Sequence, residues 1–212
     1  LSLIYQSNIA PEGVYGIWHV VEDDEFFLRQ MTLYPLEKEE LLSLKARKKT
    51  EWLSSRYLLH LLSDREIRGA CLKDAYGKPF LENSNFHISI SHTKDFTAVI
   101  GSPSLVGIDI QVVVPKIVRI APRFISESEW LYLPKKEDIL YFHTIWGAKE
   151  AMYKAYGKKE LDFKKGMKVF PFVFDPNGFF FSGIVNKGAV IQNFTLFCRQ
   201  IDQIILVYAV QN

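Results

Sequence analysis

Three residues of this chain have the types and spacing to hold a charged phosphate: Asp109, Glu150 and Lys154. Asp109 lies in Val106-Gly-Ile-Asp-Ile-Gln111, an apolar run that reads as a β-strand. Glu150 and Lys154 lie in Trp146-Gly-Ala-Lys-Glu-Ala-Met-Tyr-Lys154, which reads as a helix, and their four-residue step puts them on one face. Two carboxylates and an amine on separate elements are the parts needed to hold Mg²⁺ against a phosphate group. Each part also has a plain structural reading. An acid in an apolar strand can sit on the wet face of an edge strand. Glu four residues before Lys is the favoured surface ion pair, worth only about 0.3–0.5 kcal/mol. Chemistry gains weight from the three occurring together.

Other polar residues could meet a phosphate. Phe86-His-Ile-Ser-Ile-Ser91 alternates strictly, and His92 at its end can project into a cleft. Lys78 stands in the turn Asp74-Ala-Tyr-Gly-Lys-Pro79, and Arg56 lies inside a helical pattern a few turns after Arg47, Lys48 and Lys49. A solvated basic face is the default reading for that last group. There is no P-loop, no GxGxxG after a strand and no Gly-x-Ser-x-Gly elbow. Phosphate chemistry here would rest on a metal and side chains.

These residues need elements to position them. Gly13–Val21 reads as a strand, and apolar residues from Leu36 to Leu59 predict a helix over 35–63 that opens on Pro35. Phe86–Ser91 and Phe96–Ile100 form two strands about the turn Thr93-Lys-Asp95. Gly101-Ser-Pro-Ser104 is the best boundary, giving an N-terminal lobe over 1–102 and a C-terminal lobe over 103–212. The second half should open with the strand 105–113, in which Gly107, Asp109, Gln111 and Val113 share one face. Helices near 116–133 and 137–157 follow, then short strands around 167–174, 179–185, 190–199 and 203–210. Gly107 suits the close approach of a ligand or a second backbone, or a bulge. Both halves run strand, long helix, meander, an order that allows an internal duplication.

Composition sets the outer bounds. The chain has 212 residues, 48% of them hydrophobic, enough for a real core. Lys plus Arg number 26 against 24 acids, and this near balance argues against a general nucleic-acid binder. Cys71 and Cys198 form no zinc or CxxC pattern and read as reduced, buried residues of a cytoplasmic protein. No apolar run approaches the roughly 20 residues of a membrane span, and no signal peptide is visible.

Four pieces together resemble the 4′-phosphopantetheinyl transferases of the surfactin-synthetase-activating (Sfp-like), two-lobed type: Tyr-Gly-Lys-Pro at 76–79, Ile-Ser-His at 90–92, Val-Gly-Ile-Asp-Ile at 106–110 and Trp-x-x-Lys-Glu-Ala-x-x-Lys at 146–154. The resemblance implies an α+β fold of two similar lobes related by a pseudo-twofold, each a long helix on a small antiparallel sheet, with coenzyme A between them. It implies transfer of the phosphopantetheine arm of coenzyme A to a serine of an acyl or peptidyl carrier protein, releasing 3′,5′-adenosine bisphosphate. Asp109 and Glu150 would match the Mg²⁺ ligands, with Mn²⁺ as an alternative ion, and Lys154 the lysine near the pyrophosphate. Lys78, Ser91, His92 and, more loosely, Arg56 would match contacts to the nucleotide end. Lys116, Arg119 and Arg123 fall on one helix face and would dock an acidic carrier. Many relatives have a second acid where this chain has Gln111, which shares the face of Asp109 and is expected to offer the ion an amide oxygen. The resulting picture is a cytoplasmic, monomeric transferase. The alternative is a catalytically impaired module of the same fold that binds coenzyme A or a carrier protein.

Overall fold

A computed structural model describes residues 2–10, 12–63, 66–134 and 138–212, with Arg47 by its backbone only. The chain divides into two compact units, Leu1–Pro103 and Ser104–Asn212. Each combines helices with one sheet, every described strand pairing is antiparallel, and the fold class is α+β.

The first unit has β1 (Leu3–Ile9), β2 (Gly13–His19), α1 (Asp24–Gln30), α2 (Pro35–Ser43), α3 (Ala46–Ser63), β3 (Cys71–Lys73), β4 (Pro79–Leu81), β5 (His87–Thr93) and β6 (Phe96–Ser102). Its strands lie in the order β1-β2-β6-β5-β4-β3. The 18-residue α3 packs on β2 and β6 and buries Leu53, Leu58, Leu59 and Leu62 with Trp18, Ile88 and Val99. The helix expected over 35–63 is two helices. Leu44 turns to extended backbone (φ −79°, ψ 143°), and its N–H caps Leu41 O. The polar anchor of this unit is Glu37, which takes both guanidinium nitrogens of Arg68 at 2.7 and 2.8 Å and the Cys71 N–H at 3.0 Å, all buried.

The second unit has β7 (Val106–Val112), α4 (Ile117–Phe124), α5 (Glu127–Trp130), α6 (Ile139–Tyr156), β8 (Met167–Val169), β9 (Phe179–Lys187), β10 (Val190–Ile201) and β11 (Ile204–Gln211). Its sheet order is β7-β11-β10-β9-β8. The expected helix over 116–133 is split into α4 and α5, because Ile125 is extended and Ser126 starts α5 with Glu129 bonded back to its N–H at 2.7 Å. The expected start of the next helix at 137 lies outside the described residues, and α6 begins at Ile139. Asp138 caps it by accepting from Leu140 N and Tyr141 N, and Gly157 ends it in the left-handed region. Helix α6 is buried almost all round, with Phe142, Ile145, Ala148, Ala151, Met152 and Ala155 fully covered. Both cysteines are free and buried. No helix among the described residues is long and apolar enough to cross a membrane.

Candidate functional site

Helix α6 lies on β7 at backbone distance, and Gly107 makes that possible. A Cβ at 107 would stand 1.9 Å from Ala151 O and 2.7 Å from Ala155 N. Of the readings open for this glycine, the close approach of a second backbone is the one realised. The contact brings the two halves of the motif together. Lys154 Nζ donates to Asp109 Oδ1 at 3.0 Å and to Ile108 O at 2.9 Å.

β7 is an edge strand of its sheet, yet Asp109 is only 7% exposed and Ile108 and Ile110 on the opposite face are buried. The wet-faced edge strand is therefore not what holds this acid. A carboxylate in such a place needs polar partners. Asp109 meets the Lys154 ammonium on Oδ1 and the amide of Gln111, which donates to Oδ2 at 3.2 Å. Glu150 senses this environment. Burial first, and then the charge of Asp109, pushes its carboxyl up to about 6, with Lys154 pulling the other way. A carboxyl raised by burial and then by a neighbouring carboxylate is relieved by a cation.

Gln111 departs from expectation. Its Nε2 faces two acceptors, Asp109 Oδ2 at 3.2 Å and His143 O at 3.0 Å, so the nitrogen must point there. Its oxygen meets His143 Nδ1 at 2.6 Å. The amide thus turns a donor, not an oxygen, toward the carboxylate. Among the described residues no group of three or more His, Cys, Asp or Glu gathers into a metal cage. Two carboxylates still fit Mg²⁺, which keeps water and takes substrate phosphate oxygens with only one or two protein acids.

The neighbour of Glu150 in the motif does different work. Lys149 points inward, fully buried, and donates to Glu129 Oε2 at 2.7 Å and Phe124 O at 2.6 Å. Glu129 also accepts from Ser126 N and from Val169 N at 2.8 Å, tying α5, α6 and β8 together. Burial pulls the Lys149 ammonium down, and Glu129 opposes this. Sequence reasoning missed both residues, although Ser126-x-x-Glu129 is a capping box.

In the first unit, Arg56, His92, Trp52, Lys48 and Lys73 line a cavity of about 330 Å³. Arg56 is 3% exposed, so it is not part of a solvated face. Its guanidinium lies 4.0 Å from the centre of the Trp52 ring and reaches Glu40 at 3.4 Å. Its Nε is buried without a hydrogen-bond partner. Lys73, also paired to Glu40, joins the cavity unforeseen. Lys78 is not in its lining. That lysine sits on a turn tied by Asp74, burial draws its ammonium down to about 8, and its charge is felt at His87. Ser91 is buried on β5. A larger cavity of about 530 Å³ in the same unit, walled by Leu59, Leu62, Ile88 and Val99, holds none of the expected residues. Lys116, Arg119 and Arg123 are exposed along α4, opposite the buried Ile117, Ala121 and Phe124.

Residues 105–196 match the model of the 4′-phosphopantetheinyl transferase superfamily. The chain is 32% identical over 111 residues to 4′-phosphopantetheinyl transferase gsp of Aneurinibacillus migulanus, covering 51% of this chain and 46% of that one. It is 36% identical over 86 residues to psf-1 of Bacillus pumilus, covering 39% of this chain and 37% of that one. To Sfp of Bacillus subtilis (strain 168) it is 34% identical over 87 residues, or 39% of each chain. The matched stretches thus span less than half the length of these relatives. The stretch 105–196 carries the strand and the helix whose side chains meet at Asp109, and through it the chain is similar to the 4′-phosphopantetheinyl transferase superfamily and to its Sfp-like members.

Proposed function

We propose that the protein transfers the 4′-phosphopantetheine arm of coenzyme A to a serine of an acyl or peptidyl carrier protein. The observation that carries this reading is the meeting of Asp109, Glu150 and Lys154: one ion pair at 3.0 Å and one carboxyl pushed up to about 6. Asp109 and Glu150 would hold Mg²⁺, or Mn²⁺ in its place. The bound ion would supply positive charge to a pyrophosphate. Lys154, fixed by Asp109 and Ile108 O, presents its ammonium to the same charge, which grows on the leaving group as the bond breaks. The serine oxygen bonds to the β-phosphorus, the pyrophosphate bond breaks, and 3′,5′-adenosine bisphosphate departs. The serine proton would pass to Glu150, the second acid of the site.

For the nucleotide end the reading uses the cavity of the first unit. The unmet Arg56 Nε, His92 and the lysines suit a phosphate. Ser91 and Lys78 belong to the same proposal; at about 8 the Lys78 ammonium is still charged at neutral pH. Lys116, Arg119 and Arg123 are assigned to carrier docking. A cytoplasmic location, with which the two free buried cysteines agree, and a monomeric state complete the reading.

The test incubates the protein with coenzyme A, Mg²⁺ and an apo carrier protein. A mass gain of one phosphopantetheine on the carrier is expected, and its loss in EDTA. Binding of coenzyme A without transfer to any of a panel of acyl and peptidyl carriers would instead establish the impaired module, the alternative that Gln111 favours.

A further inference from the structure

We propose that His143 is a positioning residue, which acts through Gln111 to aim the carboxylate of Asp109. The inference rests on the metal-site reading above and deepens it. His143 lies on α6, buried, and touches none of the three charged groups of the site by any described hydrogen bond. It grips both ends of one amide. Its ring Nδ1 meets Gln111 Oε1 at 2.6 Å, and its backbone carbonyl accepts from Gln111 Nε2 at 3.0 Å. One Nε2 proton is thereby left for Asp109 Oδ2, at 3.2 Å.

The ring itself is held. Its Nε2 lies 3.0 Å from Val114 N and 3.2 Å from Val114 O, and because the Gln111 oxygen at Nδ1 can only accept, a ring proton sits on Nδ1. The amide is therefore fixed end for end, with its oxygen on the imidazole and its nitrogen on the carboxylate. Room for that nitrogen comes from Gly147, where a Cβ would lie 2.8 Å from it. With Lys154 on Oδ1 and Gln111 on Oδ2, the plane of the Asp109 carboxylate has two fixed points. Partners of this kind set the orientation of a ligating group, and their loss typically costs about 10–100-fold in metal affinity.

The full chain, labelled with ¹⁵N, provides the test, with Mn²⁺ alone as the calorimetric probe. In the unaltered protein the Gln111 side-chain amide should give slowly exchanging signals and His143 the Nδ1–H tautomer. His143→Phe keeps the ring and removes the donor. It should release the Gln111 amide to fast exchange and weaken Mn²⁺ by about 10–100-fold. His143→Asn, which can return a donor near Nδ1, should restore most of both. If His143→Phe does not fold, Gln111→Leu reads the same chain from the other end: the His143 Nδ1 proton should then exchange freely and Mn²⁺ weaken alike. A Gln111 amide as protected in His143→Phe as in the unaltered protein overturns the proposal. So does equal loss of Mn²⁺ in the Phe and Asn variants with that amide still protected, which is the mark of packing alone. If the unaltered protein binds no Mn²⁺, the metal reading falls, and the Gln111 signals still decide the role of His143.

Discussion

Two 18-residue helices, α3 and α6, each lie on an antiparallel sheet, and each offers a cation to a carboxylate beside its candidate site. On α3 the pair is loose: Arg56 reaches Glu40 at 3.4 Å, stacks on Trp52 and keeps one donor unmet. On α6 it is tight: Lys154 sits 3.0 Å from Asp109, and the other carboxylate oxygen has its own donor. The lesson is that one architecture serves two electrostatic tasks. The first unit leaves cations with spare hydrogen-bonding capacity around a cavity, as a site for an anion requires. The second buries Glu150 near the charge of Asp109, and burial and charge together raise its proton affinity, as a site for a cation requires.

The largest expected effect breaks the second half of that contrast. Asp109→Ala and Glu150→Ala should each lower transfer by roughly 10³-fold or more, with the far-ultraviolet spectrum unchanged, because each removes part of the charge that holds the ion. Full activity of either variant, measured as carrier mass gain, would remove the pair from the site. Next comes the buried pair one residue away. Glu129→Gln or Lys149→Met leaves a charge buried without its partner and should cost about 3–5 kcal/mol of unfolding free energy in urea titrations. Lys154→Met, at a partly exposed pair, should cost far less stability while losing activity.

The first half of the contrast is tested at the cavity. Arg56→Gln and His92→Ala should raise the KM for coenzyme A by about 10–100-fold, the worth of a charge-assisted bond to a phosphate, and leave dephospho-coenzyme A nearly unaffected. Equal shifts on both substrates would show that the cavity does not read the 3′-phosphate.

A smaller effect follows from pH. The folded-state pKa of Glu150, about 6, lies above its ordinary 4.5, so the metal-free fold loses stability as pH rises through that window. Glu150→Gln removes the loss. It should match the unaltered protein at pH 4 and exceed it by on the order of 1–2 kcal/mol at pH 8 in the absence of divalent ions. The smallest effect belongs to α4. Arg119→Glu with Arg123→Glu should slow carrier association several-fold at low salt and flatten its salt dependence, with kcat retained.

Much of this was legible before any coordinates. Asp109 stood out because an acid in an apolar strand has to be explained, and Pro35 and Gly157 punctuate helices as such residues should. What escaped had physical reasons. The break between α2 and α3 falls at Leu44, with neither Gly nor Pro to mark it. The short β3 and β4 offer too few residues for a periodic signal, and β1 runs through Gln6, Ser7 and Asn8, which do not read as strand. His143 reads as one more residue of a buried helix face, because its partner lies 32 positions away. The fate of Gln111 could not be read either, since strand periodicity gives the face of a side chain but not which end of an amide it shows.

Gly107 has a bearing on redesign. Where Gly107 meets Ala151 and Ala155, backbone lies against backbone, and no side chain there can be trimmed or thickened to adjust how closely β7 and α6 approach. Even Gly107→Ala would force the helix outward by more than a rotamer change can absorb. Attempts to tune the site for a larger ion should therefore leave that joint alone and work through the lengths of the acidic side chains themselves.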